Sequence, residues 1–351
     1  MAEISSGSAQ YIYVCTRMRV RRSQLIPRED YLRMLNMSLP EITRFIEDTG
    51  YKAEIDELAT AFSGIDLVEV ALSWNLAKEY QNILNITPGN LMRFTASYLR
   101  RWDIQNVLTI LRGKAQGTSA GKIREVLIPA GALDRVFLDR LLVEDSPDRI
   151  VEALKSTRLY PVLEREFPRA VETGSYARLE NELYKGYYER LLAETKGEVK
   201  GGRVFRNYVQ LEIDIRNIQN LFRLRSQRVT EDVRDMMIPG GSFTVDELQR
   251  LALIEGRDEF IDAVKKQVSL PSLLNTLEEL RGVRPIREAE TGLTRVQLEQ
   301  MDRMSKRYPI SITPILAYLE HKKYEVANLR ALARGKEANL PSERIQDYLV
   351  M

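Results

Sequence analysis

The sequence predicts an all-α protein, and three observations carry that reading. Leu, Arg, Glu and Ala are prominent, while 351 residues contain only 19 Gly and 13 Pro, a mix that favours helix. No repeated alternation of Val, Ile and Thr bounded by hairpin turns is present. Apolar residues instead recur at helical spacing in WDIQNVLTILRGK from Trp102, DIRNIQNLFRLRS from Asp214 and EVANLRALARGK from Glu325.

Taken in order, the chain opens on a short leader and a helix through YIYVCTRMRVRRS. Its residues Tyr11, Val14 and Met18, with Leu25 beyond, gather on one side, Arg17, Arg21 and Arg22 flank that side, and Arg19 points away. Prolines then punctuate the sequence, in QLIP at 24–27, LIPAG from Leu127 and MIPGG from Met237, because the residue before Pro resists the α region and Pro lacks an N–H. After each Pro comes a pair of short helices. Gly131, Gly240 and Gly241 permit the sharp turns between, and Ser119, Thr230 and Ser342 are expected N-caps. Tyr184, Tyr187 and Tyr188 sit on an amphipathic helix with their phenols expected at the water boundary. ETKGEVKGGRVFRNY, 194–208, reads as a flexible connection with room for a short hairpin.

Within the tripled helix, Ile104, Val107, Leu108 and Leu111 form one apolar face, and Ile215, Ile218 and Phe222 repeat it. Asp103, Asp214 and Glu325 stand at intervals of 111 residues, as do Asn106, Asn217 and Asn328, and Arg112, Arg223 and Arg334. Two readings stay open for these side chains. The asparagines hydrogen-bond neighbouring backbone while the charged ends pair locally, or together they line a charged inner surface met by a partner. Neither implies catalysis. A period of about 110 residues is the size of a small domain rather than of a solenoid repeat. The expected organisation is therefore a leader with the first Arg-rich helix at 1–24 and helical repeats at 25–129, 130–239 and 240–351.

Composition limits the chemistry further. Lys plus Arg total 52 against 50 Asp plus Glu, a net charge of +2, which argues against a wholly basic nucleic-acid binder. One cysteine, Cys15, excludes an internal disulfide, and one histidine, His321, cannot build a structural zinc site with it. No metal, cofactor or small-molecule substrate is expected. KAQGTSAGK at 114–122 lacks the order of a phosphate loop. Glu180 and Glu182, two apart on a helix, point away from each other. Neither a standard export signal nor a membrane span is expected.

The opening YIYVCTRMRVRRSQLIPREDYLRML, with Arg17 and Arg19 in its Arg-x-Arg, resembles the amino-terminal signature of the C subunit of archaeal A-type and bacterial V-type ATP synthases, whose eukaryotic counterpart is the d subunit of the vacuolar ATPase. YLRRWDIQNVLTILRGK before LIPAG, IDIRNIQNLFRLRS before MIPGG, and the threefold repetition itself resemble that family along nearly the full chain. Glu325 in place of Asp, and an end before the third IP turn, depart from the pattern.

The resemblance implies a funnel-shaped, all-helical protein of three related subdomains in pseudo-threefold arrangement, without a catalytic site. It implies a monomer within a larger complex, peripheral on the cytoplasmic face of the cell membrane, joining the proteolipid rotor ring to the central shaft made by the D and F subunits. For the basic cluster of Arg17, Arg21 and Arg22 two readings stay open: a solvated helix with ordinary ion pairs, or contact with the ring or anionic lipid headgroups. A helical scaffold or regulator unrelated to rotary motors is the alternative.

Overall fold

The computed structural model describes residues 7–197, 199–228, 232–282 and 286–351. Every regular element among them is helical. In chain order they are α1 (Gly7–Ser23), α2 (Arg28–Met34), α3 (Leu39–Glu47), α4 (Lys52–Leu58), α5 (Gly64–Ile86), α6 (Gly89–Leu99), α7 (Arg101–Ala115), α8 (Ala120–Val126), α9 (Arg135–Val143), α10 (Pro147–Ala153), α11 (Tyr160–Thr173) and α12 (Ala177–Ala193). They continue as α13 (Gly202–Ser226), a 3₁₀ turn (Arg234–Met236), α14 (Val245–Ala252), α15 (Arg257–Lys265), α16 (Pro271–Glu279), α17 (Ile286–Arg307), α18 (Thr313–Glu337) and α19 (Ser342–Gln346).

Helix starts follow local chemistry. Ser119 caps α8 by accepting from the Lys122 N–H, as expected, and Asp134 and Ser146 cap α9 and α10 in the same way. Ser38 with Glu41 and Thr244 with Glu247 form reciprocal capping boxes on α3 and α14. Ser342 departs from expectation: it is the first residue of α19, and its hydroxyl donates instead to the carbonyl of Leu35 at 2.7 Å. The expected cap Thr230 lies outside the described residues.

The connection at 194–208 carries no hairpin among its described residues. A short turn ends at Gly201, in the left-handed region with φ 82°, and α13 starts at Gly202. The apolar run Val204, Phe205, Tyr208, Val209 reads at helical spacing once it is joined to the tripled stretch that follows.

The described residues form two apolar cores. The larger includes Val14 and Met18 of α1, Leu72 and Leu76 of α5, Val107 and Leu111 of α7, Leu183 and Tyr188 of α12, and Leu316 and Leu329 of α18. The smaller joins Ile218 and Phe222 of α13 to Leu248, Phe260, Leu277 and Leu293 of α14–α17. Helix α13 belongs to both, since its first half, with Phe205, Tyr208 and Val209, lies in the larger one. The predicted apolar faces of α7 and α13 are buried throughout. Tyr184, Tyr187 and Tyr188 are buried as well rather than at the water boundary: their rings pack on one another, and Tyr188 is fully enclosed. Helix α18 is sheathed by α1, α5 and α17, which explains why its apolar stripe is the least one-sided of the three: most of its surface faces protein.

Candidate functional site

On α7, the Asp103 carboxylate accepts the backbone N–H groups of Ala132 and Leu133, both at 2.9 Å. One turn on, the Asn106 amide pairs with both backbone groups of Ile128, donating to its carbonyl at 2.7 Å and accepting its N–H at 2.9 Å. On α13, Asp214 accepts from Ser242 at 2.8 Å and Phe243 at 3.4 Å, and Asn217 pairs with Ile238 through two bonds of 2.8 Å. On α18, Asn328 pairs with Val350 through two bonds of 2.8 Å. Each asparagine thus replaces a strand-like partner for a loop residue whose buried N–H and C=O would otherwise be unsatisfied.

The approach of Asp103 and Asp214 to their loops explains two glycines better than turn geometry does. A Cβ on Gly131 would stand 2.1 Å from Asp103 Oδ1, and one on Gly241 would stand 2.1 Å from Asp214 Oδ1. Burial pushes the Asp103 carboxyl up to about 6, against the pull of its two N–H donors, and raises Asp214 for the same reason.

The third copy turns instead to the QLIP turn at 24–27 and to Tyr51. Glu325, one methylene longer than Asp, accepts the Ile26 N–H at 2.7 Å, the Tyr51 hydroxyl at 2.7 Å and the Lys322 ammonium at 2.8 Å. The equally spaced arginines show the same transfer. Arg112 pairs with Glu180 of α12 at 2.7 Å, Arg223 with Glu290 of α17 at 2.5 Å, and Arg334 with Glu69 of α5 at 2.9 Å. These ends therefore pair between helices rather than locally. Lys114 donates to the carbonyl of Glu144 at 3.0 Å, Arg225 to that of Glu255 at 2.8 Å, and Lys336 to that of Leu35 at 2.6 Å.

The acid partners Glu69, Glu180 and Glu290 themselves recur at 111 and 110 residues. The donors Lys114, Arg225 and Lys336 recur at 111. Both sets escape sequence reasoning, although they keep the interval of the arginines.

A third set at this interval, Arg101, Glu212 and Lys323, meets in the protein interior. The Arg101 guanidinium pairs with Glu212 of α13, and with Glu320 of α18 at 3.1 Å. It also donates to the hydroxyls of Tyr98 at 3.0 Å and Tyr187 at 3.2 Å. Lys323 pairs with the second oxygen of Glu320, the Tyr98 hydroxyl donates to Glu320 at 2.7 Å, and Tyr98 and Tyr208 share a hydrogen bond of 2.7 Å. Burial would raise the Glu320 carboxyl, but Lys323 and Arg101 outweigh it and hold the group below its ordinary range. Burial keeps Tyr98, Tyr187 and Tyr208 neutral by pushing each phenol well up. Two cations and two carboxylates thus balance one another, and each oxygen but Glu212 Oε2 has a partner. Such a cluster ties α6–α7, α13 and α18 together.

Of the Arg-rich helix, Arg21 faces Glu79 of α5 at 2.9 Å and Arg22 faces Asp302 of α17. Asp302 also meets His321 Nε2 at 2.9 Å. Arg19, expected to point away, donates to the Pro309 carbonyl at 2.9 Å. Arg17 stays exposed and donates to the Tyr13 hydroxyl at 2.6 Å. Cys15 is buried, donates to the Ser311 carbonyl at 3.3 Å, and burial raises its thiol. Among the described residues no three His, Cys, Asp or Glu side chains gather as a metal would require, and no helix is long and apolar enough to cross a membrane.

The sequence profile of the ATP synthase (C/AC39) subunit family matches residues 14–348. The chain is 40% identical over 350 residues to a Methanosarcina acetivorans protein named as the C subunit of an A-type ATP synthase, covering 98% of this chain and 94% of that one. It is 36% identical to the protein of the same name from Methanococcoides burtonii, over 99% of this chain and 96% of the relative. The Halobacterium salinarum protein of that name is also 36% identical, over 99% of each chain.

Proposed function

The chain belongs to the ATP synthase (C/AC39) subunit family, and from that membership we propose that it is the non-catalytic central-stalk adaptor of an A-type rotary ATP synthase. In this reading it sits on the cytoplasmic face of the membrane, between the proteolipid rotor ring and the shaft made by the D and F subunits. It carries torque between the ion-driven ring and the ATP-making head.

The observation that supports an adaptor is the buried cluster of Arg101, Glu212, Glu320 and Lys323, in which side chains of three long helices are bonded to one another. A torque-bearing part must turn as one body, and breaking such a pair leaves an uncompensated interior charge, so relative motion of the helices is costly. The transferred contacts of Glu325, Arg334 and Lys336 support a closed set of three related units. We propose that α6–α12 form one, α13–α17 the second, and α18–α19 with α2–α5 the third, in a funnel with pseudo-threefold symmetry. The third unit then uses both chain ends, and is cut differently from a linear division at 129 and 239. Related surfaces of this kind suit a symmetric ring, where many modest contacts spread over a wide footprint share the load.

The test is reconstitution of the A-type complex with and without this chain, measuring ATP turnover and ion flow together. Loss of coupling while the isolated head keeps its ATPase activity is expected. Full coupling in its absence would refute the role.

A further inference from the structure

The near-balance of total charge hides a segregation in space. The turns that precede the three long helices meet at one end of the molecule, with the first half of α1 among them. Phe94 of α6 stacks on Phe205 of α13 with ring centroids 4.7 Å apart, and Ser97 donates to Glu194 at 2.7 Å. The Tyr11 hydroxyl lies 3.1 Å from where a Gly89 Cβ would stand, and Lys200 sits 6.0 Å from the Tyr11 ring. Arg19 and Cys15 bond the Pro309 and Ser311 carbonyls of the α17–α18 turn.

Exposed cations crowd this end: Arg93 and Lys196 beside the first two turns, Arg203 and Arg206 at the start of α13, and Arg303, Lys306 and Arg307 at the end of α17. Of the nearby acids, Glu194 takes the Ser97 hydroxyl on one oxygen while its other oxygen is buried away from these cations, and Asp302 is engaged by Arg22 and His321. Among the described residues no carboxylate comes within ion-pair distance of Arg93, Lys196, Arg203, Arg206, Lys306 or Arg307, and Arg303 has only Glu299 at 3.9 Å.

A groove runs through this basic end, between α13, the residues that follow α15, and α17. Amide side chains of Asn207, Gln210, Gln267 and Gln300 line it, together with Arg303, Arg307 and the apolar Leu270 and Leu273, and its one carboxylate, Asp214, is taken up by the Ser242 and Phe243 N–H groups. Arg203 and Arg206 continue the Asn207–Gln210 face of α13 by one turn. Arginines ask for carboxylates or phosphates, and side-chain amides, which carry donors and acceptors together, match the alternating N–H and C=O of a polypeptide backbone.

We propose that this groove receives an acidic polypeptide segment of a partner protein, with its carboxylates on Arg203, Arg206, Arg303 and Arg307 and its backbone on the groove amides. The proposal does not depend on the stalk reading, because it concerns the chemistry of the segment and not the identity of the partner.

The test uses the full chain and a fluorescein-labelled synthetic decapeptide of alternating Glu and Ala, followed by fluorescence polarisation at low salt. Vesicles of phosphatidylcholine with one-fifth phosphatidylglycerol form the second arm, followed by co-sedimentation. Saturable peptide binding is expected, weakened at least tenfold by R303E/R307E and by R203E/R206E, and unchanged by K52E on the remote α4. All the charge-reversed side chains are exposed, and circular dichroism would identify a misfolded variant. Were one double variant misfolded, the single R206Q and R307Q substitutions would carry the same reading. Peptide binding indifferent to these arginines overturns the proposal. So does vesicle binding that is tighter than peptide binding and lost in the same variants, since the face would then read phosphate headgroups.

Discussion

Glu325 accepts the backbone N–H of Ile26 at 2.7 Å across 299 residues of sequence. It is the third member of a set whose other two, Asp103 and Asp214, reach loops only about 30 residues downstream. The extra methylene and the distant partner belong together. For Glu325 the QLIP turn near the start presents the donor. Tyr51 and Lys322 complete the carboxylate's shell, and Lys322 lies 3.9 Å over the Tyr51 ring.

Removing this carboxylate should loosen the beginning of the chain from its end. E325A leaves the buried Lys322 unpaired and the Ile26 N–H without its acceptor, a loss of about 3–5 kcal/mol. Hydrogen exchange should accelerate across α2–α4 and α18–α19 and stay unchanged in α14–α16. Equal acceleration everywhere would show that Glu325 does not join these two segments.

Two glycines give a sharper local test. G131A puts a methyl group into the space held by Asp103 Oδ1, so the carboxylate must leave at least one backbone N–H without an acceptor. The expected cost is about 1–3 kcal/mol in chemical denaturation. G121A in α8, where a Cβ meets nothing within 4 Å, should be neutral or stabilising by roughly 0.5–1 kcal/mol through helix propensity. Equal effects from the two substitutions would remove the close-approach explanation.

Much of this architecture is legible in the order of the amino acids. Helical class, the apolar faces of α7 and α13, and the repeated Asn106, Asn217 and Asn328 follow from periodicity and interval, because each copy meets the same local demand. The partners are harder to read. Glu69, Glu180 and Glu290 keep the interval but sit in helices that otherwise share little, so they stand out only once Arg112, Arg223 and Arg334 point to them. Tyr187 and Tyr188 read as boundary residues because nothing local reveals that Arg101 lies against Tyr187. The contact of Ile26 with Glu325 leaves no local trace at all, since closure of a chain is a property of its packing.

The interior cluster should behave as a unit. R101M leaves Glu212 and Glu320 facing each other's field with one fewer cation, and destabilisation of about 3–5 kcal/mol is expected. Combining R101M with E212L removes both partners of the closest pair and should recover a substantial part of that loss. Denaturant titration of the two single variants and the double variant measures the coupling. Strictly additive losses would mean that Arg101 and Glu212 do not sense each other.

Asp103 makes the stability of the fold depend on pH with a sign opposite to that of a salt-bridged acid. Burial is the largest influence on it, so its folded pKa of about 6 exceeds the ordinary 3.8. Between those values the folded state holds the proton more tightly than the unfolded chain does. The favourable contribution is therefore complete below pH 3.8 and is lost as pH rises through 6. The amide of D103N cannot titrate, and carboxylates such as Glu320, whose influence runs the other way, are present in both proteins and cancel in the comparison. The stability advantage of the wild type over D103N should accordingly be greater at pH 4 than at pH 7, by up to roughly 3 kcal/mol. An advantage that grows with pH would show instead that the N–H bonds from Ala132 and Leu133 outweigh burial, and that Asp103 is held as a carboxylate like any helix-capping acid.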